Sequence, residues 1–205
     1  MKVEAIFCDV DGVLVKSTDL FAEELKKEFG IDREVLQPFF LGVFSDCRIG
    51  KADLKIELSK VLGDWGWSAT VEELMDFWFT KGSQIDHEIL DYVRDLKKHG
   101  VRCFLTTDQE HYRAESLKAA FGNGNPFECI FASADIGCTK KDPKFFEEVY
   151  AEIHQTSRNP ASELITREGI LVIDDGEKNI EVARSLGFST HLYTDLESLK
   201  RFLAE

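Results

Sequence analysis

The sequence predicts an α/β protein in which helices cover both faces of a parallel sheet of about five strands and an all-helical segment is inserted. Five short apolar runs have the length and composition of buried strands. Helical patterns separate the last four of these runs, and such alternation is typical of parallel strands joined by right-handed crossovers. One stretch after the first run is helical throughout and contains no strand-like run.

The predicted strands and helices follow in order along the chain. The first strand is a near-continuous apolar run that polar residues end. Asp142 and Pro143 begin one of the helices, as an N-cap and a first-turn proline would. Other predicted helices end at a glycine, as at Gly100 and Gly187. The expected strands cover residues 3–10, 101–105, 128–132, 170–173 and 190–193.

The insertion is expected to span residues 15–83, which leaves 1–14 and 84–205 as the core domain. Phe21, Leu25 and Phe29 form one helical face, and Thr70 with Glu73 forms a capping box before another. No Gly/Ser-rich linker marks either boundary, so we place the boundaries from the change in pattern alone.

The net charge, the apolar runs and the cysteines of the chain exclude several classes of binding partner and location. The chain has 205 residues and a formal net charge of -13, which argues against a broad nucleic-acid surface and against anionic membranes. No apolar run approaches the roughly 20 residues of a membrane span, and no signal-peptide pattern is recognisable. Five cysteines without a C-x-x-C motif favour reduced thiols and hence a cytoplasmic location. The sequence leaves the oligomeric state open.

Residues suited to phosphate and metal chemistry follow four of the predicted strands. Ligands of open α/β sheets bind beyond the carboxyl ends of the strands, so these residues are expected to meet. Acidic groups suit Mg²⁺, a hydroxyl donates to anionic oxygens, and a lysine before a helix favours an anion. Together they match phosphoryl transfer. They are Asp9 and Asp11 after the first strand, Thr107 and Asp108 after the second, Lys140 after the third, and Asp174 and Asp175 after the fourth.

These motifs resemble, in order and spacing, those of the haloacid dehalogenase superfamily of phosphohydrolases, and the resemblance covers essentially the whole chain. The D-x-D-G motif matches residues 9–12, the hydroxyl motif matches Thr107 with Thr106 one residue away, and the lysine motif matches Lys140. The acidic pair at 174–175 matches the fourth motif. The insertion is similar to the family's helical C1 cap. The resemblance as a whole implies a Rossmann-like core.

Two residues depart from the family's pattern. Asp108 stands where such proteins often have Asn, which adds negative charge near the phosphate. Lys141 stands where Pro usually follows the motif lysine. Neither departure removes a chemical group that the family's mechanism requires.

The resemblance implies a Mg²⁺-dependent phosphatase that acts on a small phosphorylated metabolite, such as a sugar phosphate or similar ester. It implies that Asp9 attacks phosphorus to form an aspartyl-phosphate and that Asp11 is the general acid and base. The implied metal-binding residues are Asp9, Asp11 through its backbone carbonyl, and Asp175, with Asp174 in support; the implied phosphate-binding residues are Thr107, Asp108 and Lys140.

The insertion also carries candidate substrate contacts. Arg48 and Lys51 lie beside Gly50 and are basic, so we list them as candidates for binding the substrate. The aromatic residues of the insertion are expected mainly to pack in its core. They are Phe39, Phe40, Phe44, Trp65, Trp67 and Trp78.

Three alternatives remain at this stage. A phosphomutase of the same superfamily, β-phosphoglucomutase-like, keeps all four motifs and returns the phosphoryl group to the sugar. A dehalogenase does not need the second acid of the first motif, so Asp11 argues against that activity. A catalytically silent binding protein is disfavoured because the acidic and lysine positions are all intact.

Overall fold

The computed structural model describes residues 3–16, 20–81, 84–121, 126–155 and 165–204. Five strands form one sheet in the order β3-β2-β1-β4-β5. Every pairing in this sheet is parallel, which confirms the predicted α/β class. The strands are β1 (Ala5–Cys8), β2 (Arg102–Thr107), β3 (Phe127–Ala132), β4 (Ile170–Asp174) and β5 (Ser189–Leu192).

Helices precede and follow the strands along the described chain. A short 3₁₀ helix at Arg167–Gly169 leads into β4. The α-helices are α1 (Leu20–Phe29), α2 (Arg33–Leu41), α3 (Phe44–Arg48), α4 (Leu54–Ser59), α5 (Val71–Lys81), α6 (His87–Lys98), α7 (His111–Phe121), α8 (Ser133–Ile136), α9 (Pro143–Gln155), α10 (Glu177–Ser185) and α11 (Leu196–Ala204).

Both faces of the sheet are buried against helices, because successive side chains of a strand point to opposite faces. On one face Ile6 and Cys8 of β1 join a cluster with apolar residues of α6, α7 and α11. On the other face Ala5 and Phe7 join a cluster with apolar residues of α9 and α10. Since β1 is the central strand and is buried on both faces, the polar residues that follow it emerge at the middle of the sheet's carboxyl edge.

The helices α1–α5 lie between β1 and α6 and bury a hydrophobic cluster of their own. The capping box at the start of α5 is confirmed: Glu73 N donates to Thr70 Oγ1 at 3.2 Å, and Thr70 N donates to the Glu73 carboxylate at 2.9 Å. The expected aromatic packing is confirmed for Phe39, Trp65 and Trp67, which are buried in this cluster.

The two ends of the helical segment lie side by side close to the carboxyl edge of the sheet. Val15 forms an isolated bridge with Ile85, and Lys16 N donates to Gln84 O at 2.9 Å. The predicted boundary at residue 83 lies outside the described residues, and the division into core and inserted domains stays a prediction. None of the helices in the described ranges is long and apolar enough to cross a membrane.

Candidate active site

Asp9 follows β1 directly and is nearly enclosed, with 6% of its surface exposed. Val10 N donates to Asp9 Oδ1 at 2.7 Å, so the chain that turns away from the strand also orients the carboxylate. The turn passes through Gly12, whose φ is +83°. A side chain at Gly12 would be strained by this φ, and its Cβ would displace the carboxylate of Asp175.

Lys140 joins the ends of three strands although its side chain is almost completely buried. Its Nζ lies 2.6 Å from Asp9 Oδ1 and 2.7 Å from Asp174 Oδ2. Its backbone N donates to Asp108 Oδ1 at 2.9 Å. Asp108 therefore holds the loop that presents the lysine.

Asp174 supports this arrangement with both carboxylate oxygens. Besides the contact with Lys140, Oδ1 accepts from Gly176 N at 2.8 Å and from Asn179 Nδ2 at 3.0 Å. Sequence reasoning missed Asn179. The feature that could have indicated Asn179 is its position beside the apolar Ile180, on the buried face of the helix that follows the acidic pair.

The three acidic residues at this edge make a candidate metal site. Single carboxylate oxygens of Asp9, Asp174 and Asp175 all lie within 4.8 Å of one another. Burial raises the pKa of Asp9 well above its usual value, although Lys140 acts in the opposite direction. Burial opposes the charge of Lys140, but Asp9 and Asp174 outweigh it and raise the pKa of the ammonium. Three carboxyl groups thus face one ammonium, and a divalent cation would stabilise their ionised forms.

β2 ends in two neighbouring threonines, Thr106 and Thr107. The pairing of β2 with β1 shows which of them is in register with Asp9. Cys8 pairs with Leu105, so the next residues in register are Asp9 and Thr106. Thr106 Oγ1 is buried without a hydrogen-bond partner among the described residues. Thr107 is also buried but alternates to the opposite face of the sheet. The register thus aligns Thr106 with Asp9, and Thr107, the residue expected from sequence, is the next residue of β2.

Asp11 lies apart from the three-carboxylate cluster. Gln109 Nε2 donates to Asp11 Oδ2, and Arg113 Nη2 lies 3.8 Å from Asp11 Oδ1. Burial raises the pKa of Asp11, while Arg113 acts in the opposite direction. Sequence reasoning missed Gln109 and Arg113, which stand two and six residues beyond Thr107 and reach Asp11 only through the fold.

A cavity of about 350 Å³ borders Asp11 and extends between the helical segment and the core. Phe40, Phe44 and Trp78, which were expected mainly to pack, line the cavity as well as joining the cluster of the helical segment. The sequence candidate Arg48 lines this cavity. Lys51 is exposed and is not among the lining residues.

The chain matches a family model and a protein of known activity. Residues 3–187 match the family model described as haloacid dehalogenase-like hydrolase. The D-ribitol-5-phosphate phosphatase of Bacteroides thetaiotaomicron is 26% identical over 155 residues, which cover 73% of this chain and 70% of that protein.

Solved structures share the fold over the full length. A HAD family enzyme from Bacteroides thetaiotaomicron, in a magnesium complex, superposes with a TM-score of 0.78 at 20% identity and full coverage of both chains. Its wild-type complex with magnesium and inorganic phosphate has a TM-score of 0.73 at 20% identity, with 96% of this chain and 98% of that chain covered.

Proposed function

Because the chain belongs to the haloacid dehalogenase-like hydrolases, we propose that it is a Mg²⁺-dependent phosphatase of a small phosphorylated metabolite, such as a sugar phosphate or similar ester. The observation that carries the proposal is the buried ammonium of Lys140, which lies between the carboxylates of Asp9 and Asp174. The phosphatase that is 26% identical to this chain and the magnesium and phosphate complex of a structural neighbour lend support.

The acidic cluster fits a magnesium ion, since Mg²⁺ prefers oxygen ligands and a few carboxylates. Asp9 and Asp175 would bind it together with the backbone carbonyl of Asp11, and Asp174 would support them because both its oxygens already accept hydrogen bonds. When bound, the ion would neutralise negative charge on the phosphoryl oxygens.

In the proposed first step the Asp9 carboxylate attacks phosphorus. Val10 N and Lys140 hold Oδ1, which leaves Oδ2 as the oxygen that we assign to the attack. As the bond between Oδ2 and phosphorus forms, the bond between phosphorus and the ester oxygen breaks, and Asp11 gives its proton to the leaving oxygen. The raised pKa of Asp11, caused by burial, favours the protonated form that this step requires.

In the second step Asp11 takes a proton from water while the water oxygen attacks phosphorus. The bond between Asp9 and phosphorus breaks, its electron pair returns to the carboxylate, and inorganic phosphate leaves. Gln109 and Arg113 orient Asp11 for both proton transfers.

The remaining groups stabilise the phosphoryl oxygens. We assign the hydroxyl to Thr106 because its Oγ1 has no described partner and its strand position is in register with Asp9. Lys140 contributes a buried positive charge, which is worth more there than in water. Asp108 positions Lys140 through its backbone and is not a phosphate ligand in this assignment. The helical segment at 15–83 acts as a cap that selects the substrate.

The test is a phosphate-release screen over sugar phosphates, polyol phosphates and nucleotides, with Mg²⁺ or with EDTA. We expect hydrolysis that EDTA abolishes, and a phosphoryl group on the peptide containing Asp9 after acid quenching. Asp9→Asn should abolish both signals while the thermal unfolding curve stays cooperative. The proposal fails if no ester is hydrolysed or if Asp9→Asn remains active. An isomerised sugar phosphate in place of free phosphate would support the phosphomutase alternative.

A further inference from the structure

The cavity beside Asp11 is more basic and more aromatic than the chain as a whole. Three of the nine arginines of the chain, namely Arg33, Arg48 and Arg113, line it, although the net charge is -13. Phe21, Phe40, Phe44 and Trp78 supply much of its wall. A neutral polyol would leave the positive charge of these arginines without a counter-charge.

The acidic residues of the cavity wall have partners other than Arg48. Asp11 contacts Gln109 and Arg113, and Asp108 accepts from the backbone N of Lys140. Neither forms an ion pair with Arg48 among the described contacts. The positive charge of Arg48 therefore has no carboxylate partner within the described part of the chain.

Arg48 is held in place with a hydrogen-bonding group unsatisfied. Its Nε is buried and has no acceptor among the described residues. Its guanidinium lies over the ring of Phe44, 5.8 Å from the centroid. Its backbone carbonyl accepts from Ser133 Oγ at 2.5 Å, so the core fixes the position of the residue. A buried charged donor without an acceptor is costly, and an acceptor on a bound ligand would remove that cost.

We propose that the substrate carries a second acidic group, a carboxylate or a second phosphate, which Arg48 binds through a charge-assisted hydrogen bond. This inference rests on the proposed phosphatase function. The reacting phosphate is a separate group, because the residues that line the cavity include Asp11 but not Asp9, Thr106 or Lys140. The aromatic wall contacts the portion of the substrate between its two anionic groups.

The test compares three esters that share one aromatic ring: para-carboxyphenyl phosphate, para-phenylene bisphosphate and the neutral para-carbamoylphenyl phosphate. We expect kcat/KM to be roughly tenfold or more higher for at least one of the anionic esters than for the neutral ester. Which anionic ester is preferred distinguishes a carboxylate from a second phosphate.

Arg48→Met removes the charge and keeps the carbonyl that binds Ser133. We expect it to abolish the preference for the anionic ester, mainly through KM, and to lower kcat/KM for the anionic ester more than for the neutral ester. Arg48→Lys should restore part of the preference. Arg94→Met removes a guanidinium on α6 that pairs with Asp91, and it should leave the preference intact.

The outcomes separate the two proposals. Equal losses for all three esters would mean that Arg48 serves the reacting phosphate or the fold, and a wild-type protein without any preference would also overturn the inference. If none of the three aryl esters is hydrolysed, the phosphate-release screen described above decides the proposed function. In that case the binding of the same esters still tests whether Arg48 selects an anion. Tryptophan fluorescence measures this binding, because Trp78 is in the cavity wall.

Discussion

The carboxyl edge of the sheet and the cavity beneath the helical segment meet at Asp11 but are built in opposite ways. At the edge, buried charges are partnered at close distance, as Lys140 is with Asp9 and Asp174. In the cavity, aromatic rings from several helices surround arginines, and Arg48 Nε has no described partner. The edge is suited to a single reaction, because the strand ends hold its carboxylates and its ammonium in fixed positions. The cavity is suited to selecting among substrates, since its lining can change without moving those strands.

The largest expected effect concerns the buried charges of the edge. Lys140→Met leaves the carboxylates of Asp9 and Asp174 buried without their ammonium partner. We expect the free energy of unfolding to fall by about 3–5 kcal/mol, because an unpaired buried charge is strongly destabilising. Denaturant unfolding measures this loss, and phosphatase activity should be lost as well.

The matched control is Lys118→Met, which removes an ammonium that lies 3.0 Å from Glu115 at the surface. Exposed ion pairs contribute about 0–1 kcal/mol, so this variant should unfold close to the wild-type midpoint. Similar midpoints for the two variants would show that burial at the edge does not set the strength of its ion pairs.

An intermediate effect tests the strand register. Thr106→Val removes the hydroxyl that we assign to the phosphoryl oxygens and should raise the activation free energy by about 1.5–3 kcal/mol, which is a decrease in kcat/KM of roughly ten- to hundredfold. Stability should hardly change, because the hydroxyl has no described partner to lose. Thr107→Val should cost less activity. A larger loss from Thr107→Val would restore the assignment that the sequence suggested.

The smallest expected effect concerns a single hydrogen bond between the helical segment and α7. Tyr112 Oη donates to Asp53 Oδ2 at 2.8 Å and links α7 to the start of α4. Tyr112→Phe should lower the free energy of unfolding by about 0.5–1.5 kcal/mol. Tyr92→Phe, on α6, is the control and should cost less.

The pH dependence of the Tyr112 effect follows from Asp53. Hydrogen bonds from Ile56 N and then from Tyr112 lower the pKa of Asp53 in the folded protein. A lowered pKa means that the stabilisation is fully present above the unfolded value of about 3.9 and is lost as the pH falls through the folded value. The difference between wild type and Tyr112→Phe should therefore shrink below about pH 4. A difference that stays constant down to that pH would show that the Asp53 carboxylate is not the group that matters.

Much of the fold was predictable because its signals are local. The apolar runs that predicted strands coincide with β1–β5 to within two residues at each end, and the capping box at Thr70 begins α5 as expected. The positions of Asp9, Lys140 and Asp174 at one edge also followed, since parallel strands place their carboxyl ends together.

The alignment of Thr106 with Asp9 was not predictable, because it depends on the register of β2 against β1, which are about a hundred residues apart. A shift of one residue turns a side chain to the other face of the sheet. Gln109, Arg113 and Asn179 were missed for a similar reason, since each acts on an acidic residue of another element or turn that only folding brings near.

The sequence by itself determined the α/β class, the family resemblance and the residues that gather at the sheet's carboxyl edge, because periodicity and short motifs are properties of neighbouring residues. Only the tertiary structure decided which threonine is in register with Asp9, what holds Asp11, and that Arg48 but not Lys51 lines the cavity. These outcomes depend on the direction of each side chain and on the approach of distant segments. Packing sets both, and no local pattern encodes them.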